Sequence, residues 1–112
     1  MGAVELQSAR TGFIVNFSST DASLGEDALG PDASKSHFIT SVTIACVSAI
    51  TVQIHNTGGP DLILIGPFPF SASSVPVTIN YQDPINMGAI EPIHVTSSGA
   101  GEVCVIIQGY TE

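Results

Sequence analysis

HFITSVTIACVSAITVQIH, residues 37–55, alternates apolar and polar residues along both of its halves. A period of two places alternate side chains on opposite faces of a β-strand. We therefore predict strands over residues 37–47 and 50–55, joined by a tight connection at 47–49. In the second strand, Ile50, Val52 and Ile54 are predicted to face inward and Thr51, Gln53 and His55 outward.

The same period continues on both sides of this stretch, and helical spacing is hard to find in any longer window. The first strand is predicted over residues 11–18, with Phe13, Val15 and Phe17 on one face and Ile14 and Asn16 on the other. Further strands are predicted over residues 62–65, 75–81, 93–96 and 102–110, an irregular or edge segment over 66–70, turns over 56–61 and 82–84, and a glycine-rich hairpin over 97–101. In residues 75–81, Val75, Val77, Ile79 and Tyr81 are predicted to face inward. Seven or eight short antiparallel strands at this spacing indicate an all-β chain, a jelly-roll-like β-sandwich.

Two segments depart from this pattern. Residues 1–10 precede the first strand and are predicted to form an N-terminal arm, with a possible short strand at Val4 and Leu6. Residues 18–36 combine small residues with Asp21, Glu26, Asp27 and Asp32 and offer little to bury, so a long acidic loop is predicted there. These acids match no EF-hand spacing, which favours a solvated loop over a Ca²⁺ site. With 112 residues, the chain is predicted to be one domain over 1–112.

The composition is apolar and acidic. Hydrophobic residues make up 44% and charged residues 11% of the chain, and the formal net charge is -8 with only Arg10 and Lys35 as basic residues. Nothing is available to neutralise a row of phosphates, so nucleic acid and anionic membranes are excluded as expected partners. No apolar run has the length of a membrane span, and no targeting segment is recognisable, so synthesis in the cytoplasm is expected.

No Lys or Arg follows Lys35, although that part of the chain holds most of the predicted strands. Lysine on an edge strand commonly prevents edge-to-edge pairing of β-sheets. The sheet edges are therefore expected to be closed, short, or covered by another molecule, and the low content of charged residues suits a subunit of an assembly.

Side chains that carry chemistry are few and scattered. Cys46 and Cys104 fall on opposite strand faces by parity, which favours two free thiols over a disulfide. His37, His55 and His94 have no ligand spacing, so no metal or other cofactor is expected. No Gly-x-Ser-x-Gly motif is present, and the serines near His94 lie in a predicted turn, so we expect no enzyme.

Apolar residues without an obvious inward position are the candidates for an interface. Two interpretations stay open, an ordinary two-sided core and a contact with another subunit, since obligate interfaces resemble cut cores. The candidate interface residues are Ile63, Ile65, Phe68, Phe70, Cys104 and Ile106.

Two stretches carry a resemblance to a known group of proteins: residues 37–44, HFITSVTI, and residues 97–110, SSGAGEVCVIIQGY. They resemble small jelly-roll virion proteins of tailed bacteriophages, in which a strand begins with His and an aromatic residue and a valine-rich last strand ends in Gly-Tyr. The resemblance covers residues 37–110 in pattern and leaves out residues 18–36. It implies a non-enzymatic, often oligomeric structural component of the head, neck or tail.

The expected function is therefore that of a capsid decoration or cement protein. We expect a homotrimer, made in the host cytoplasm and located in the virion, that binds the major capsid protein or another virion protein through the N-terminal segment and the long loop. The alternative is a carbohydrate- or receptor-binding β-sandwich of a phage tail or neck, in which Tyr81, Tyr110 and Asn and Asp residues of the loops bind sugar.

Overall fold

The computed structural model describes residues 10–57, 62–72 and 75–112, which form eight β-strands. The strands are β1 (Thr11–Ser19), β2 (Glu26–Leu29), β3 (Ser36–Cys46), β4 (Thr51–His55), β5 (Leu64–Pro69), β6 (Val77–Ala89), β7 (Ile93–Ser97) and β8 (Val103–Thr111). The described residues include no helix that could cross a membrane.

The strands form two antiparallel sheets, ordered β1-β8-β3-β6 and β2-β7-β4-β5. Each strand of the first half of the chain pairs with its counterpart in the second half: β1 with β8, β2 with β7, β3 with β6 and β4 with β5. This is a long ribbon whose successive strand pairs alternate between the two sheets, which is the jelly-roll arrangement. The predicted all-β, jelly-roll-like sandwich is confirmed.

The core lies between the sheets and follows the predicted alternation. Its central side chains are branched aliphatics that are completely buried, as expected for residues on the inner faces of a sandwich. They include Ile39, Val42, Val52, Ile54, Ile93, Val95, Val103, Val105 and Ile107. The inward set predicted for residues 50–55 is confirmed.

The prediction of one continuous loop over residues 18–36 is wrong, because β2 lies inside it and pairs with β7. The turn before β2 is anchored by Ala22, whose carbonyl oxygen accepts hydrogen bonds from the amides of Gly25 and Ser97, both at 3.0 Å. The strand has four residues, two of them acidic, so it shows no alternation that a sequence pattern could detect. Its pairing depends on β7, far away in the chain.

Residues 82–84 were predicted to be a turn, but β6 runs through them. β6 is one of the two edge strands of its sheet. Proline lacks the amide N–H that a ladder needs, and an edge strand tolerates it because one side of the strand forms no ladder. The inward prediction for residues 75–81 holds in part: Ile79 and Tyr81 are partly buried, whereas Val77 is 37% exposed and Val75, which precedes the strand, is 76% exposed.

The predicted hairpin over residues 97–101 is also wrong. β7 pairs with β2 and β4, and β8 pairs with β1 and β3, so the glycine-rich segment crosses from one sheet to the other. The segments predicted separately over 62–65 and 66–70 merge into β5, which is an edge strand as expected for 66–70. Most of the predicted arm, residues 1–9, and positions 58–61 of the predicted turn lie outside the described residues.

Candidate interaction surfaces

The outward side chains of the sheet β1-β8-β3-β6 form a surface that we call the uncharged face. Strand register places these residues in four rows across the sheet. The rows are Gly12, Tyr110, Phe38 and Asn86; Ile14, Gln108, Ser41 and Asn80; Asn16, Ile106, Thr43 and Thr78; and Ser18, Cys104 and Ala45. None of them is charged, although the chain has a net charge of -8.

Two of the predicted interface residues, Cys104 and Ile106, lie on the uncharged face. Cys104 is exposed and Ile106 is 40% exposed. Their neighbour on the edge strand, Ile14, is 68% exposed and was not among the predicted interface residues, although alternation had placed it opposite Phe13. A shallow depression of about 420 Å³ lies beside it, lined by Gly12, Phe13, Ile14, Thr40, Gln108 and Gly109.

The other four predicted interface residues belong to the segment around β5, where the structure favours the ordinary core interpretation. Ile65 and Phe70 are buried in the core, and Ile63 and Phe68 pack against it while partly exposed. The exposed apolar residues of this segment are instead Leu62 at 64% and Leu64 at 46%. The structure thus separates the six candidates into two exposed residues on the uncharged face and four residues in or against the core.

The four edge strands of the two sheets differ in the features that prevent pairing with another chain. Charge and proline on an edge strand discourage pairing with another chain, and a very short strand offers little to pair with. β6 carries Asp83 and Pro84, β5 carries Pro67 and Pro69, and β2 is four residues long with Glu26 and Asp27. β1 has nine residues and contains neither proline nor a charge.

The two basic residues lie at one end of β1. Arg10 directly precedes the strand, its guanidinium lies 4.0 Å from the centre of the Tyr110 ring, and it forms an exposed ion pair with Glu112 at 3.1 Å. Lys35 and Thr11 line a common depression of about 310 Å³. At the other end of β1, the Ser19 hydroxyl donates to the carboxylate of Glu26.

His55 and His94 lie side by side on the outer side of the second sheet, with ring centres 5.0 Å apart. The His94 Nδ1–H donates to Asp27 Oδ1 at 2.6 Å, which ties β7 to β2. His55 donates through Nδ1 to the Asn56 carbonyl at 2.7 Å and accepts through Nε2 from the Thr96 hydroxyl at 2.8 Å. These contacts stabilise the sheet and engage both ring nitrogens of His55.

His37 is buried near the start of β3 and also has a structural role. Its Nε2–H donates to the Gly30 carbonyl at 2.7 Å, and its Nδ1 accepts from the Thr111 hydroxyl at 2.8 Å. Thus His37 has a hydrogen-bond network of its own, whereas His55 and His94 lie together as a pair. Among the described residues, no group of three or more His, Cys, Asp and Glu side chains could hold a metal ion.

The two tyrosines required by the carbohydrate-binding alternative are both engaged within the chain. Tyr81 packs against the core, and burial raises the pKa of its hydroxyl above the ordinary value. Tyr110 stacks with Phe38 at a centroid distance of 5.0 Å, with Arg10 over its ring. The structure therefore offers little that favours a stacking platform for sugar.

The cysteines are free, as predicted from strand parity, because register places Cys104 beside Ala45 on the outer side and Cys46 on the inner side. Burial raises the pKa of the Cys46 thiol, and repulsion from Cys104 adds to the rise.

No protein-family model matches this chain, and no curated protein matches its sequence. The resemblance to phage virion proteins that residues 37–44 and 97–110 suggested therefore stays an expectation.

Proposed function

We propose that the chain is a non-enzymatic structural protein of a bacteriophage virion, of the capsid decoration or cement type. The observation that carries this proposal is the uncharged face: among the described residues, its four rows contain no charged side chain in a chain with a net charge of -8, although Arg10 lies over Tyr110 at one end and the edge strand β6 carries Asp83. Interface centres are depleted in charged residues, so the lack of charge in these rows favours a contact site. The jelly-roll architecture occurs in viral capsid proteins as well as in lectin domains and cupins.

In this proposal the uncharged face packs against a subunit of the virion shell. Ile106 lies within it, between Asn16 and Thr43 in strand register, and its exposed methyl groups are available for burial. The polar neighbours of Ile106 are short hydroxyl and amide side chains, which can form hydrogen bonds with another protein without an ionic partner. We further propose that three copies form one decorating unit.

The test measures binding of the purified chain to purified phage particles by co-sedimentation. Ile106→Asp places a carboxylate inside the proposed contact, and desolvating an unpaired charge is costly, so we expect at least a tenfold loss of bound copies. Ala100→Asp adds the same charge in the exposed connection between β7 and β8, away from the uncharged face, and is expected to bind like the wild type. Equal binding by both variants would contradict the role of the face, and a wild type that never sediments with particles would contradict the function.

A further inference from the structure

β1 is an edge strand among the residues that the structure describes. Within the described part of the chain, the backbone of Thr11–Ser19 forms its ladder with β8 on one side only, and β1 ends the sheet. Alternate residues of such a strand direct an N–H and a C=O away from the sheet. A long edge with free backbone groups and no charge or proline is a template for another strand.

The side chains of β1 are also incompletely buried. Phe13, Val15 and Phe17 face the interior and pack against the core, but all three remain partly exposed because no strand of the described residues lies beyond β1 in this sheet. A strand added at this edge would cover them. The apolar area is therefore already arranged on the inner side of the edge, where a further strand would bury it.

We infer that β1 pairs with β1 of a second copy of this chain, antiparallel and with Val15 on the twofold axis, so that two sheets join into one of eight strands. In this register Phe13 lies opposite Phe17 of the second copy, and Ile14 lies opposite its Asn16. Cross-strand aromatic pairs of this kind stabilise a sheet. A shift by one residue would place inward side chains opposite outward ones, so the alternation limits the register.

The distribution of charge favours a second copy in this orientation. The Thr11 end of β1 holds both basic residues of the chain, Arg10 and Lys35, together with the acids Glu112 and Asp32, and the Ser19 end holds Glu26. An antiparallel pair brings Arg10 and Lys35 of one copy to the same end of the ribbon as Glu26 of the other copy, and does so at both ends. A parallel pair would bring the two Glu26 carboxylates together.

This inference deepens the proposed function, since it names the contact through which decorating units join to one another. Because the contact between two β1 strands is twofold, it doubles the number of copies in any assembly that forms through other contacts. The wild type is therefore expected to have the mass of two copies of the 11.5 kDa chain, or of six where three copies also assemble by another contact.

The test is the mass of the full chain by light scattering over a concentration series. Ile14→Lys with Asn16→Lys changes two side chains that point to the outer side, so the core is untouched. In the inferred register each new lysine faces a lysine of the second copy, and directly opposed like charges destabilise the pair. We expect the mass to fall by a factor of two.

The matched control is Ile14→Lys with Asn16→Glu. Each lysine then faces a glutamate of the second copy, so the wild-type mass is expected to return. Circular dichroism of both variants checks that the sandwich is folded. A halved mass with recovery in the Lys/Glu variant supports the inferred register.

Several results would overturn the inference. These are a wild-type mass of one or three copies, a mass that does not fall in the double-lysine variant, and a mass that stays low in the Lys/Glu variant. A fourth result would be a wild-type mass that is not doubled together with a doubled mass for a variant lacking residues 2–9. It would mean that the chain's own first residues occupy the edge of β1 in place of a second copy. Binding to particles is measured separately, so the failure of this pairing and the failure of the proposed function have different readouts.

Discussion

Gly109→Ala is expected to destabilise the sandwich strongly, because β8 passes too close to β3 at this point for any side chain. A Cβ atom on Gly109 would overlap the Phe38 carbonyl oxygen and lie 2.9 Å from both the Phe38 carbonyl carbon and Phe13 Cζ. The close approach coincides with the register shift between Ile39 and Ser41, where Thr40 is left out of the pairing and donates its hydroxyl to the Gln108 carbonyl at 3.1 Å.

The obstacle is backbone, so it cannot rotate away as a flexible side chain could. Overpacking a core costs about 1–3 kcal/mol, and here relief also requires β3 and β8 to separate, so we expect about 3 kcal/mol. With a urea dependence of about 1.5 kcal/mol/M, the unfolding midpoint should fall by about 2 M.

Gly12→Ala is the matched control for this experiment. Gly12 lies on the neighbouring strand β1, and its nearest contact for an added Cβ is the Gly109 carbonyl oxygen at an ordinary 3.8 Å. We expect a change within about 0.5 kcal/mol for this variant. If urea unfolding shows the same midpoint for Gly109→Ala and Gly12→Ala, the backbone of β3 can yield and the steric argument is wrong.

Asn56→Ala removes a buried hydrogen bond between the sheets, since the Asn56 side chain donates to the Met87 carbonyl at 2.9 Å. An unpaired buried carbonyl costs about 1–3 kcal/mol, so we expect Tm to fall by about 10 °C. A constant Tm would contradict the role of this hydrogen bond. A thiol reagent at pH 8 should modify the exposed Cys104 quickly and Cys46 slowly, since burial raises the pKa of Cys46; a fast phase that survives Cys104→Ser would contradict this assignment. Burial raises the pKa of both Cys46 and Tyr81. Above about pH 9 the unfolded chain therefore releases protons that the folded chain retains, so the free energy of unfolding should fall as pH rises above that value. A Tm that stays level from about pH 8 to 11 would refute this last prediction.

Alternation with a period of two was sufficient to predict the fold class because it reports burial directly. It placed Val52 and Ile54 in the core and Cys104 on the outside, as the structure has them. It could not detect β2, whose four residues pair only because β7 lies beside them. It also could not distinguish a hairpin from a crossover over residues 97–101, since both need the same small and glycine residues.

The interface candidates show a similar division. Parity correctly placed Cys104 and Ile106 on the outer side of the last strand, where they are exposed. Around β5, apolar residues occupy both faces, so parity could not say that Ile65 enters the core while Leu64 remains exposed. The open edge of β1 depends on strand order, which no local pattern contains.

The most direct test of the proposed structural role is the stoichiometry of the chain in phage particles purified by density gradient, measured by quantitative mass spectrometry against the major capsid protein. The account predicts a constant ratio that survives repeated washing and equals one decorating unit per repeating site of the shell. Particles that contain no copies of the chain, or a ratio that falls toward zero with each wash, would contradict it.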